Sequence, residues 1–394
     1  MIAFTKLLCG TATVREALSP GRTPDSAGAL HFERTAGPLV VWNVTRRCNL
    51  RCRHCYFTAA PDASSRELSR EQGLQLLADL KAAGAPVLLF SGGEPLMRED
   101  VFEWVRAARD AGIHPVLSTN GTLLTEDAAK RLADAGLAYA GVSMDGTDGV
   151  HDAFRGQTGA FAKALDGLRA AKKAGLRTGL RFTVCGDNVE ELPKVFDLAE
   201  SEGIPRVCIY HLVWAGRASQ MRDRDLSLYE RQMVVDLIIE KTLDWGRRGV
   251  PAEVLTVDCP SDGVYLAGFV RREMPQRLGE VQQLLDAHGG CSAGTKFASI
   301  DPSGGVHPCQ FWEHATLGNV TECTFREIWN DMTQPLLHGL KMKARYLSGP
   351  RCGKCVYRSV CAGCRVRAEV ATGDPFADDP SCYLADKDIK PQAS

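Results

Sequence analysis

Between residues 39 and 213, short apolar runs alternate with stretches of helical periodicity. The strand candidates are Leu39–Val44, Val87–Phe90, Pro115–Leu117, Tyr139–Ser143, Gly179–Val184 and Val207–Leu212. The stretches 69–83, 99–111, 125–135, 159–174 and 188–203 carry their apolar residues on one helical face. Several end at a glycine (Gly84, Gly112, Gly136, Gly175, Gly203), the usual helix stop. Repeated strand–helix units of this size imply parallel strands joined by right-handed crossovers. Such strands either curl into an open relative of the (β/α)8 barrel or form a doubly wound sheet, and the pattern alone fits both. This regular core is expected over 38–225. Residues 226–247 and 273–288 read as two further helices inside a connecting segment, 226–290. From 291 to 394 periodicity gives way to short segments and cysteines, as in a small metal-stapled domain. Residues 1–37, punctuated by Gly, Pro and Ser, are expected to form an N-terminal extension or lid-like leader.

The composition is that of an ordinary globular chain: 394 residues, 44% apolar and 24% charged. Lys and Arg (47) balance Asp and Glu (48), so no general attraction to nucleic acid or an anionic membrane is implied. No signal-peptide core and no run of 18 apolar residues occurs, which predicts a cytoplasmic protein without a membrane partner. Fifteen cysteines change the picture. Their number is odd and no export signal precedes them, which argues against a disulfide framework. They cluster, with three at 48–55 and eight at 291–382, as metal ligands do in a reducing compartment.

The first cluster is Cys48-x3-Cys52-x2-Cys55, followed by Tyr56, just after the first strand candidate. Three thiolates so close can wrap one face of a metal centre, but His54 abuts Cys55 and could hardly supply a fourth ligand. A closed zinc site wants four protein ligands, whereas a 4Fe-4S cluster on three thiolates leaves one iron open. Phe90-Ser91-Gly92-Gly93-Glu94-Pro95 ends the second strand, where a Gly-Gly pair permits a close backbone approach and Glu94 offers a carboxylate. Ser118-Thr119-Asn120-Gly121 and Val142-Ser143-Met144-Asp145-Gly146 end the third and fourth strands; their bland reading is turn chemistry.

Taken together, these motifs resemble those of radical S-adenosylmethionine (SAM) enzymes. The resemblance implies the partial (β/α)6 TIM-like barrel, a 4Fe-4S cluster on Cys48, Cys52 and Cys55, and SAM contacts at Gly92, Gly93, Glu94, Asn120, Ser143 and Arg155. The C-terminal order Cys291, Cys309, Cys352-x2-Cys355-x5-Cys361-x2-Cys364, Cys382 resembles the SPASM domain, which binds two auxiliary 4Fe-4S clusters. By that resemblance one takes Cys352, Cys355, Cys361 and Cys382, and the other Cys291, Cys309 and Cys364. The latter's fourth ligand is either Cys259 or an open iron. Cys185, Cys208 and Cys323 read as ordinary packing residues, and Cys9 has no partner pattern.

Further stretches, among them Val41-Trp42-Asn43-Val44-Thr45-Arg46-Arg47, Tyr210-His211-Leu212 with Ala215-Gly216-Arg217, and Asp379-Pro380-Ser381-Cys382-Tyr383, resemble the tetrapyrrole-modifying branch of that family. The implied activity is deacetylation of 12,18-didecarboxysiroheme to Fe-coproporphyrin III. Haem d1 synthesis, Fe-coproporphyrin decarboxylation and maturation of a ribosomal peptide are the alternatives. A ferredoxin or flavodoxin is the implied electron donor. A multicarboxylate substrate would want cationic partners, for which Arg181, Arg217 and His211 are the candidates near strand ends. A non-catalytic electron carrier would leave the Gly-Gly-Glu turn and the repeated strand–helix units unexplained.

Overall fold

In the computed structural model, described for residues 1–10, 37–62 and 66–390, the chain lays down eleven strands. They are β1 (Ile2–Ala3), β2 (Leu39–Asn43), β3 (Val87–Ser91), β4 (His114–Thr119), β5 (Tyr139–Ser143), β6 (Thr178–Val184), β7 (Arg206–His211), β8 (Glu253–Val257), β9 (Phe297–Ile300), β10 (Gly305–His307) and β11 (Gly318–Asn319). All join one sheet in the order β1-β8-β7-β6-β5-β4-β3-β2-β9-β10-β11. From β2 to β8 each strand lies parallel to the next in sequence. Strands that stay adjacent in chain order, with right-handed crossovers, keep their helices on one face. That selects the open, curled barrel over the doubly wound sheet, whose order would reverse part-way.

Strand alternation then separates the two faces. Val40 and Trp42 of β2, Leu88 and Phe90 of β3, Ala140 and Val142 of β5, and Leu180 and Phe182 of β6 are fully buried on the helix side. There Trp42 meets Trp104 of the helix Asp100–Asp110 with ring centroids 4.4 Å apart. The other face is polar near its carboxyl end: Asn43 is level with Ser91, Ser143 with Arg181, and Thr183 with Tyr210. A sheet that is apolar only toward its helices leaves a lumen able to take a polar ligand. The helices begin and end as their sequences dictate. Ser69 accepts the amide of Gln72 while the Gln72 side chain accepts the amide of Ser69, a reciprocal cap contributing about 1 kcal/mol.

Three expectations change. The first ten residues are no loose leader: β1 pairs antiparallel with β8, and the helix Phe4–Cys9 buries Phe4, Leu7 and Leu8. The rest of the expected extension, 11–36, lies outside the described residues. The 226–290 segment is not merely helical, because β8 and the helix Ser261–Glu273 lie within it. At 291 the sheet does not break. Strand β9 pairs in parallel with β2, and β10 and β11 extend it as an antiparallel ribbon.

Candidate functional site

Cys48, Cys52 and Cys55 lie on the loop after β2, at the carboxyl end of the parallel strands, where such sheets place their ligands. Cys48 and Cys52 are buried beside Leu50, Ala59 and Ala160. Donors already face their sulfurs: the Leu50 amide reaches Cys48 Sγ at 3.4 Å and Arg155 Nη1 reaches Cys52 Sγ at 3.5 Å. Burial, then the Glu94 carboxylate, push the Cys48 thiol up to about 12. A thiol so placed becomes a thiolate only beside a bound cation, while the N–H donors suit a cluster's sulfurs. The residues therefore fit an iron–sulfur cluster with an open iron.

The Gly-Gly-Glu turn does make a close approach, but to the chain itself. A Cβ on Gly93 would lie 2.1 Å from the Arg47 carbonyl oxygen, and one on Gly92 2.6 Å from that of Thr45. The turn is bonded there, Gly93 N to Thr45 O at 2.7 Å and Glu94 N to Arg47 O at 2.8 Å. These glycines lock the turn onto the cysteine loop. Glu94, expected to meet a ligand ammonium, is wholly buried and accepts from Thr119 Oγ1 (2.8 Å), the Asn120 amide (2.8 Å) and the Leu96 amide (3.1 Å). Burial nevertheless raises its pKa to about 7. Its side chain thus ties β3 to the end of β4. Asn120 carries the tie onward, donating to Asn49 Oδ1 at 2.9 Å and toward Cys48 Sγ at 3.8 Å. Ser143 ends β5 on the lumen face, level with Arg181. Arg155 is buried and ion-paired with Asp145, which also faces His54 Nε2 at 3.3 Å. This group fixes the back of the cysteine loop.

The basic candidates divide. Arg217 donates to the carbonyls of Cys52 (2.8 Å) and Ala59 (2.7 Å), and its amide to Cys55 O at 2.9 Å, so it clasps the cysteine loop. His211 is buried between Asp262 (2.9 Å) and Arg231 (3.2 Å). Neither looks into the lumen as a substrate group. Arg181 remains there, bonded to the Tyr210 phenol, with 4.9 Å between its guanidinium and the Tyr210 ring centroid. Sequence reasoning missed the partners of Arg217 because they lie about 160 residues away. At the mouth, Tyr56, Trp214 and Phe311 wall a cavity of about 350 Å³ that Glu313 and His314 also line. Tyr56 is held by Asn43 Oδ1 at 3.0 Å, and its ring meets Phe311 edge-on at 5.2 Å.

In the C-terminal part, Cys352, Cys355, Cys361 and Cys382 line one pocket. Amides of Tyr357 and Gly363 point at the Cys355 and Cys361 sulfurs, at 3.3 and 3.4 Å. Cys291, Cys309 and Cys364 gather in a second cluster around Trp312, Leu340 and Val366. Burial pushes the Cys309 thiol well above the usual thiol range and the Cys364 thiol up to about 12, so that neither ionises readily in the absence of a metal. Both donor sets fit thiolate-held clusters. Cys259 packs elsewhere: its Sγ is 3.2 Å from Ser261 Oγ, in a tight group with His211 and Asp262.

A model of the radical SAM superfamily matches residues 42–199, and one of an iron–sulfur cluster-binding domain, SPASM, matches 291–365. An "Fe-coproporphyrin III synthase" of Methanosarcina barkeri is 47% identical over 394 residues, 99% of this chain and of the relative. This chain belongs to the radical SAM superfamily, in its tetrapyrrole-modifying branch. It is a radical SAM enzyme with 4Fe-4S clusters and SAM as cofactors. A "Pre-heme d1 synthase" of Dinoroseobacter shibae is 39% identical, covering 89% of this chain and 87% of that one. Streptococcus suis SuiB, solved bound to S-adenosylmethionine, has the same fold at 17% identity, with a TM-score of 0.71 over 89% of this chain and 78% of that chain. Among the described residues no helix is long and apolar enough to cross a membrane.

Proposed function

We propose that this radical SAM enzyme removes the two acetate side chains of 12,18-didecarboxysiroheme to give Fe-coproporphyrin III. The observation carrying this reading is the 47% identity, end to end, to a relative named for that product. The 350 Å³ cavity supports it, because Tyr56, Trp214 and Phe311 offer apolar walls to a flat macrocycle beside the cysteine loop. A cluster held by Cys48, Cys52 and Cys55, together with SAM, would supply a 5'-deoxyadenosyl radical. The chain's own residues orient and enclose. Gly92, Gly93, Glu94 and Asn120 hold the cysteine loop; Arg155 donates to Cys52; Ser143 borders the lumen, where the backbone of the turn and the strand ends would meet SAM. Arg181 is the cation assigned to a substrate carboxylate, with Tyr210 setting its fork. Cys352, Cys355, Cys361 and Cys382 are assigned to one auxiliary cluster, and Cys291, Cys309 and Cys364 to the other. A ferredoxin or flavodoxin in the cytoplasm is the proposed electron source.

The test is an anaerobic incubation of reconstituted enzyme with SAM, a reductant and didecarboxysiroheme, analysed by mass spectrometry. Formation of Fe-coproporphyrin III with 5'-deoxyadenosine is expected. Turnover of Fe-coproporphyrin III itself, with didecarboxysiroheme untouched, would move the assignment to haem synthesis.

A further inference from the structure

The cluster assigned to Cys291, Cys309 and Cys364 lacks a fourth thiolate, and the next residue before Cys259 is placed to supply the missing ligand. Asp258 follows β8 with a left-handed backbone, φ +68°, which a non-glycine residue adopts at a cost of about 1 kcal/mol or more. Cys259 goes into the core toward Ser261 and Asp262. The Asp258 Oδ2 atom is fully enclosed and has no hydrogen-bond partner among the described residues. An enclosed carboxylate oxygen without a donor is costly unless something cationic sits against it.

The cations that face the carboxylate, Arg367, the N-terminus, His211 and Arg181, do not bond that oxygen, and the Cys309 thiol also lies within reach of its charge. A chain of bonds fixes Asp258 beside the cysteines: its carbonyl accepts Arg367 Nη2 at 2.6 Å, Arg367 Nε donates to Asp379 Oδ1 at 3.2 Å, and Asp379 Oδ2 accepts the Cys364 amide at 2.7 Å. Arg367 also binds the carbonyl of Leu212, next to Val213 in the same apolar group as the three cysteines. Asp258 acts on the Cys309 thiol together with Cys291 and Cys364, so the four side chains share one neighbourhood. Carboxylate oxygen is an accepted iron ligand. We propose that Asp258 is the fourth ligand of the cluster held by Cys291, Cys309 and Cys364, closing it with a carboxylate oxygen. This rests on the assignment of those three cysteines to one cluster. It leaves no open iron there for substrate, and the cluster passes electrons.

Asp258→Asn keeps the shape and the left-handed backbone but is a poor iron ligand; Asp258→Cys supplies a thiolate. Wild type and both variants are reconstituted with iron-57, without tetrapyrrole, and SAM is added to block the first cluster. They are then compared by iron content, Mössbauer spectroscopy and electron paramagnetic resonance, with carbon-13 cyanide as the probe of an open iron. The wild type should hold roughly twelve irons per chain and show no carbon-13 coupling. Asp258→Asn should either gain that coupling or lose about four irons. Asp258→Cys should restore roughly twelve irons and give the spectrum of an all-thiolate cluster. Cyanide coupling already present in the wild type, or an Asp258→Asn spectrum identical to wild type, would overturn the proposal. A wild-type content of about eight irons would instead remove the three-cysteine assignment beneath it.

Discussion

Gly93→Ala isolates what the Gly-Gly-Glu turn does. Gly93 has no left-handed backbone, so alanine costs nothing in conformation; the added methyl carbon, however, would sit 2.1 Å from Arg47 O and 2.9 Å from Arg46 O. Both are backbone atoms and cannot swing aside as a flexible side chain would. To relieve the overlap the turn must leave the cysteine loop, stretching Gly93 N–Thr45 O and Glu94 N–Arg47 O. Two such bonds are worth about 1–3 kcal/mol together, and forcing a methyl into a packed site costs about 1–3 kcal/mol more. The sum, about 2–6 kcal/mol, falls on the geometry of Cys48 to Cys55. We expect Gly93→Ala to lose the first cluster or its SAM affinity by tenfold or more, while the C-terminal clusters keep their iron. Gly279→Ala is the control: nothing lies within 4 Å of its new Cβ, its helix tolerates alanine, and stability should hold or rise by up to about 1 kcal/mol. Titration calorimetry with SAM and iron analysis of both variants decide the matter. If Gly93→Ala binds SAM and iron as wild type does, the turn is not the lock described.

Two further outcomes follow from the same geometry. Arg217→Ala removes two charge-assisted bonds to the loop carbonyls, about 1.5–3 kcal/mol each. Iron of the first cluster should therefore pass to a chelator about a hundredfold faster or more, and an unchanged rate refutes the clasp. Glu94, raised to about 7 from 4.5, favours its protonated form in the fold. Its contribution is thus full below about pH 4.5 and lost as pH rises through about 7, a swing of about 3 kcal/mol. Cluster-free protein should lose that stability relative to Glu94→Gln between pH 4.5 and 8; a pH-independent difference in urea unfolding would contradict it.

The parallel core was legible because each of its strands is a run of apolar residues between a loop and a glycine-stopped helix. Glu253–Val257 falls in the gap between the helices read at 226–247 and 273–288, where five residues alone do not announce a strand. Ile2–Ala3 is too short to announce itself; only β8 makes it a strand. At the site, residue spacing located the cysteines, since metal ligation demands local clustering. It could not tell what each polar residue faces. The Gly-Gly pair signalled a close approach without saying that the partner was residues 45–47. His211 and Arg217 looked alike in sequence, and their roles depend on Asp262 and on Cys52 and Ala59, 51 to 165 residues distant.

The pairing of β9 with β2 bears on how such enzymes can be recombined. A cut at residue 290, the border that cysteine spacing suggests, would uncover the β2 edge over Leu39–Trp42, an apolar and nearly fully buried row. An exposed apolar edge invites pairing with another chain. A chimera that exchanges the C-terminal domain between relatives must therefore keep the β9–β11 ribbon with the barrel it completes, or bring a ribbon whose register matches β2. The cluster-bearing tail beyond β11 is the smaller unit that can be traded, provided that Cys291 and Cys309 are traded to match it.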